Sequence, residues 1–246
     1  MDRTKGYVSA AAGFFLLWVL VLFIASATVF NIAGDRVLLS GEMRRYSSPK
    51  VSGLPEEEYP EMGRMIADYL TGKRQDFQYT YEDENKKEIS CFQPHEAAHM
   101  ADCRRLICTA GALRWILAVA ALIIFTIGIF LREYRKKFLA GIVAGFAAVT
   151  AVFAAVLLWG LVNFDGLFIT FHKVFFSNDG WLLDPGTDML IRLMPVSFFM
   201  SMGVRVMLAV AAAALAPFSA ARTIQLAMEK KEQQEAHDAK TAVPEA

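Results

Sequence analysis

Charge is scarce in this sequence. Only 20% of its 246 residues are Asp, Glu, Lys or Arg, and 25 acids cancel 25 bases; soluble domains carry about 25% charged residues. No basic excess is available to hold nucleic acid. No Gly-rich phosphate loop marks a nucleotide site. Cysteine is nearly missing: Cys91, Cys103 and Cys108 form an odd set that defines no disulfide framework, although a Cys91–Cys103 pair is open to it. Charge is also absent over long stretches, where apolar residues run on for about 20 positions or more. These absences exclude an ordinary soluble domain and a disordered chain. They also exclude an outer-membrane barrel, whose strands alternate over about ten residues.

What is there is four apolar runs. A helix rises 1.5 Å per residue, so about 20 residues cross a hydrocarbon core of roughly 30 Å. The first span is read at 7–33, with no charge between Lys5 and Asp35. Arg3, Lys5 and Ala25-Ser26-Ala27 mimic a signal peptide, but the run continues past that site through Val29, Phe30 and Ile32, which favours a retained span. The others are read at 111–131 (with Arg114 near its start), 139–163 (rich in Ala and Gly, hence suited to close helix packing) and 196–221 (with Arg205 inside).

Lys and Arg in the short flanks give the orientation. Residues 132–138 hold Arg132, Arg135, Lys136 and Lys137, a strong cytoplasmic marker. Arg3 and Lys5 put residues 1–6 on the same side, and Arg222, Lys230 and Lys231 add the tail, 222–246. Segments 34–110 and 164–195 then face outward, in a multi-pass plasma-membrane protein.

Segment 34–110 reads as a small extracellular α+β cap. Pro55 and Glu56–Glu58 open a helix that carries Tyr59, Met62, Ile66, Tyr69 and Leu70 at helical spacing and closes at Gly72 and Lys73. Phe77, Tyr79 and Tyr81 alternate with polar residues, residues 82–87 form a charged turn, and Ile89 with Cys91 returns as a second strand. Pro94 opens another helix. Segment 164–195 is an interfacial loop of Phe164, Phe168, Phe171, Phe175, Phe176 and Trp181, the ring density expected at headgroup depth.

Three of the four histidines, His95, His99 and His172, fall on this outer side, and histidine is the usual proton carrier near neutral pH. His95-Glu96-Ala97-Ala98-His99 spells a zinc-peptidase pattern, with two imidazoles on one helix face and Glu96 beside them. No third ligand follows it, and Pro94 sets it at the frayed start of a helix. The same stretch also reads as His99 and Asp102 three residues apart, close enough for the carboxylate to orient the imidazole. Against that stands a surface ion pair of Asp102 with Arg104 or Arg105. In the second cluster, His172 shares a helical face with Phe168 and Phe175, and Asn178 or Asp179 then turns the chain. Arg205 is costly inside a span and is a functional candidate on that ground, pairing with Asp165 or steering a carbonyl, unless it snorkels to the surface.

The run Phe171-His172 through Phe175-Phe176, Asn178-Asp179, Trp181 and Asp184-Pro185, with Thr187-Asp188 and Met194-Pro195-Val196-Ser197-Phe198-Phe199, resembles the lipoprotein intramolecular transacylase family of Gram-positive bacteria. His99-Met100-Ala101-Asp102 and Met65-Ile66-Ala67-Asp68-Tyr69-Leu70 match it too. Cys103 and Arg104 depart from the family pattern, where Val and Lys are expected. His95 lies outside the motif.

The resemblance implies a four-helix membrane acyltransferase that acts on diacylglyceryl-modified lipoproteins among membrane lipids, with no metal or other cofactor. The sn-2 acyl chain of the modified cysteine moves to its own α-amine, leaving the lyso form. His99 is assigned as base, oriented by Asp102, and His172 as acid or oxyanion ligand. Asn178, Asp179, Trp181 and Arg205 support them. The sequence alone does not separate the two histidine roles. The rivals are a zinc metallopeptidase on His95, Glu96 and His99, and a non-enzymatic lipid-binding membrane subunit. The peptidase needs Glu96, whereas the transacylase tolerates Glu96→Gln. Oligomeric state is not legible.

Overall fold

The computed structural model describes residues 3–82, 85–130 and 132–241. Residues 83 and 84 of the expected charged turn, residue 131 at the expected end of the second span, and the tail beyond 241 lie outside the described residues.

Four helices are long and apolar enough to cross a membrane by length and composition. They are α1 (Arg3–Gly34), α5 (Pro94–Phe130), α6 (Arg135–Val162) and α9 (Val196–Thr241). Two differ in extent from the sequence reading. The helix expected at Pro94 does not end before the second span but is continuous with it. At 37 residues it is about 55 Å long, well beyond the hydrocarbon thickness, so its first turns, with Asp102, Arg104 and Arg105, extend past the apolar stretch. Likewise α9 continues beyond residue 221 to Thr241, with Pro217 inside. Hydropathy marks where a span ends, not where a helix ends.

Among the shorter elements are α2 (Arg36–Tyr46), α3 (Pro49–Ser52), a 3-10 turn (Glu56–Glu58), α4 (Tyr59–Leu70), α7 (Phe164–Phe175) and α8 (Met189–Leu193). Strands β1 (Thr80–Glu82) and β2 (Glu88–Ser90) pair antiparallel, Tyr81 opposite Ile89. The hairpin is where the alternation placed it but shorter: Tyr79 lies just outside, its carbonyl still taking the Cys91 amide at 2.9 Å. The sequence reading passed over α2, which Asp35 caps by accepting the amides of Val37 and Leu38.

The described chain divides into two compact units. One comprises Met1–Phe23, Ile116–Ala154 and Val210–Ala246. Its core gathers Leu16, Ala121, Phe138, Leu139, Ile142 and Ala221. Here α1 and α6 cross so closely that a Cβ on Gly13 would lie 2.0 Å from the Phe138 carbonyl oxygen, and one on Gly141 2.0 Å from that of Ala10. Only small residues allow such an approach, as expected from the Ala/Gly content of the third run.

The other unit comprises Ile24–Trp115 and Ala155–Ala209. Helices α2 and α4 pack together, and the core runs from Leu39 and Met43 through Tyr59, Met62 and Ile66 to Leu190, Leu193 and Phe198. Gly72, at φ +79°, ends α4 in the left-handed region while the Lys73 amide returns to the Asp68 carbonyl at 2.8 Å. All three histidines singled out above belong to this unit. On α5, Trp115 (66% exposed) and Ile116 (66%) are bare, which suits a hydrocarbon solvent and not water.

Candidate active site

The start of α5 is fastened before any histidine is considered. Gln93 precedes Pro94, and Glu96 Oε2 accepts the Gln93 amide at 2.8 Å, the return half of a capping box. Its Oε1 accepts the Leu190 amide of α8 at 2.7 Å, and the side chain is fully buried. His95 Nε2 meets Asp188 Oδ2 at 3.0 Å. Asp188 also accepts the Asp184 amide and the Thr187 hydroxyl. These bonds hold its carboxyl below the usual range even though burial alone pushes it up.

The apparent zinc motif is thereby corrected. Glu96 is a staple between α5 and α8, with both oxygens on backbone amides. His95 belongs to the Asp188 cluster. Among the described residues no three His, Cys, Asp or Glu side chains are placed to share a metal ion.

His99, one turn on, faces elsewhere. Its ring lies 5.9 Å from that of His172, centroid to centroid, and each histidine is only 7% exposed. Phe176 stands edge-on to His99 at 5.2 Å. Around His172 are Phe168 at 4.2 Å, Trp181 at 5.0 Å, Phe171 at 5.4 Å and Phe176 at 5.5 Å. The aromatic run is thus a wall around two imidazoles, built because α7 carries Phe168, Phe171 and His172 at helical spacing, whereas Phe175 packs on Phe171 and is largely exposed.

The two rings are held differently. His172 Nδ1 bonds the Phe168 carbonyl at 2.8 Å. A carbonyl only accepts, so a neutral His172 is protonated on Nδ1 and keeps a lone pair on Nε2. Burial holds its pKa below the ordinary value, the bond to Phe168 opposing that shift. His99 Nε2 lies 3.5 Å from Cys103 Sγ, while its Nδ1 is buried with no partner among the described residues.

Asp102 does not orient His99 by a hydrogen bond. Its carboxylate takes Arg105, as the ion-pair reading expected, and Asn178 Nδ2 at 2.8 Å. Asn178 Oδ1 in turn accepts the Gly180 amide at 2.9 Å. Asp102 and Asn178 therefore clip α5 to the turn behind α7, three residues beyond His99 and six beyond His172. Asp179 is exposed, and its carbonyl accepts the Leu182 amide in that turn.

Arg205 pairs with Glu42 and not with Asp165. Its Nη2 is 2.8 Å from Glu42 Oε1, and Ser201 Oγ donates to Oε2 at 2.6 Å. Those bonds hold the Glu42 carboxyl low against the upward push of burial. Glu42 sits on the helix that sequence reasoning missed, in a stretch without clear apolar periodicity. Its one signal was an acid beside two arginines, which reads as surface. The three cysteines are free, so the Cys91–Cys103 pair does not form.

Comparison with known proteins adds the following. A family model described as lipoprotein intramolecular transacylase Lit matches residues 13–199. No curated protein matches the chain. Among solved structures, the membrane-integral lipoprotein intramolecular transacylase Lit of Bacillus cereus is similar at 19% identity, covering 94% of this chain and 100% of its own, with a TM-score of 0.69. Two variants of it, one histidine exchanged for arginine or for alanine, match at the same 19% identity with TM-scores of 0.65, each covering 94% of this chain and 97% and 98% of their own.

Proposed function

The chain belongs to the lipoprotein intramolecular transacylase family, and on that premise we propose that His172 and His99 are its catalytic pair. It is a membrane-integral acyltransferase of lipoproteins. The reaction proposed is aminolysis within one substrate. The α-amine of the lipid-bearing cysteine attacks its own sn-2 ester, the C–O bond breaks, and the acyl group ends on nitrogen. The amine, with a pKa of about 7.7–8.0, is largely protonated at neutral pH and attacks in its free form.

His172 Nε2 takes the proton lost from nitrogen and returns it to the glycerol oxygen as the tetrahedral adduct collapses. His99 offers a ring N–H to the oxyanion. This reverses the assignment made from sequence, and the reason is the Phe168 carbonyl, which leaves Nε2 of His172 as a lone pair. Amine and ester arrive together, so the remaining work is to fold the headgroup back on itself.

The observation that carries the reading is the pair of buried imidazoles 5.9 Å apart inside an aromatic wall. The basic first turn of α6, with Arg135, Lys136 and Lys137, supports cytoplasmic termini and a site on the outer face, where exported lipoproteins are displayed.

A synthetic diacylglyceryl peptide in vesicles with purified enzyme tests the chemistry. The free-amine peptide should yield the lyso product and its N-acetylated counterpart none. Release of fatty acid from the acetylated peptide at an equal rate would point to hydrolysis instead.

A further inference from the structure

We propose that Cys103 is a positioning residue: its thiol donates to Nε2 of His99, fixes that imidazole as the Nδ1–H tautomer, and so aims an N–H at the reacting ester. The proposal rests on the two-histidine reading above. Cys103 follows His99 by one turn of α5, and Sγ lies 3.5 Å from Nε2, within reach of a hydrogen bond to sulfur. The direction of that bond follows from the groups. An imidazole lone pair is a good acceptor and a thiol sulfur a poor one, so S–H to N is favoured over N–H to S.

With Nε2 occupied, the proton of the neutral ring sits on Nδ1. That atom is buried without a partner among the described residues, on a side chain only 7% exposed. A buried donor left unpaired is destabilising, and such atoms mark where a ligand is expected. A donor at that place suits a carbonyl oxygen gaining negative charge. His172 presents the complementary atom, a bare Nε2 lone pair, because its own Nδ1 is held by Phe168. The two rings thus offer one donor and one acceptor, each set by a protein group behind it.

Nitrogen-15 NMR of the full-length, histidine-labelled protein in lipid nanodiscs reads the tautomer directly, with the His99 signals identified by their loss in His99→Ala. Wild type should show His99 protonated on Nδ1 and bare on Nε2. Cys103→Val keeps the volume without a donor. It should mix the tautomers and lower kcat about fivefold, the worth of an ordinary hydrogen bond, at unchanged KM. Cys103→Ser should restore the tautomer and most of the rate. A wild-type His99 protonated on Nε2, or a Cys103→Val protein with wild-type tautomer and kcat, overturns the assignment. If that happens while His99→Ala is inactive, only the role of Cys103 falls. Full turnover by His99→Ala overturns the two-histidine reading and this proposal with it.

Discussion

On the proposed two-histidine reading, the chemistry is set by what lies behind each ring. His172 is buried among rings, and burial outweighs the opposing bond to the Phe168 carbonyl, so it stays neutral to a lower pH than a free imidazole. The sign for activity follows. The base form persists as pH falls through about 6.5, so the acid limb of a pH–rate profile at about 8 belongs to the substrate amine, and a second, steeper loss of kcat from protonation of His172 should set in only below about 6.5. The sign for stability is opposite in use. An unfolded chain takes up this proton first as pH falls below about 6.5, so stability should drop on acidification, seen as a lower thermal midpoint. The histidines were visible in the sequence through their motifs. Their roles were not, because a tautomer depends on a carbonyl one turn away or on a thiol, and no residue spacing states which partner wins. Arg205 shows the same limit: its cost inside a span was legible, its partner Glu42 was not. Arg205→Met should leave Glu42 short of one bond and cost about 1–2 kcal/mol, less than a fully buried pair because the arginine side chain is 42% exposed. The thermal midpoint in detergent checks it, and Glu42→Gln added to Arg205→Met should recover part of the loss.

Between elements, two fastenings hold α5. At its start Glu96 binds the amides of Gln93 and Leu190, and three residues beyond His99 Asp102 binds Asn178. Sequence spacing presented the first as a zinc motif, because helical geometry alone brings His95, Glu96 and His99 near one another. The competing use, capping a helix with one oxygen and bracing another with the second, needs the fold to bring α8 alongside. Glu96→Gln keeps one acceptor oxygen and should cost about 1–3 kcal/mol of stability while turnover per folded molecule persists. Loss of all turnover in a fully folded Glu96→Gln protein would return the peptidase reading. The Asp102–Asn178 clip should show as coupling of about 1 kcal/mol in a double-mutant cycle of the two alanine variants. It should also show as a loss of kcat in each single variant, because the clip lies three residues beyond His99 and six beyond His172.

For the whole molecule, the four apolar runs were legible from composition, and each became a helix near its expected place. The continuity of α5 and the length of α9 were not, since polar residues extend a helix without extending its hydropathy signal. Orientation rests on the lysines and arginines of the short links. In a background with Cys91, Cys103 and Cys108 replaced by alanine, a membrane-impermeant maleimide should label Lys173→Cys in intact cells, and should reach Lys136→Cys only after permeabilisation. The reverse pattern would put the histidines on the cytoplasmic face, away from exported substrates.

The central claim is that two imidazoles, brought together by α5 and α7, carry the acyl transfer. Mass spectrometry of the N-terminal peptide of a reporter lipoprotein, from cells producing wild type, His99→Ala or His172→Ala, tests it most directly. The account predicts the lyso peptide with wild type and the unconverted diacylglyceryl peptide with either variant, although both variants accumulate in the membrane. Lyso peptide at the wild-type level with either one would contradict it.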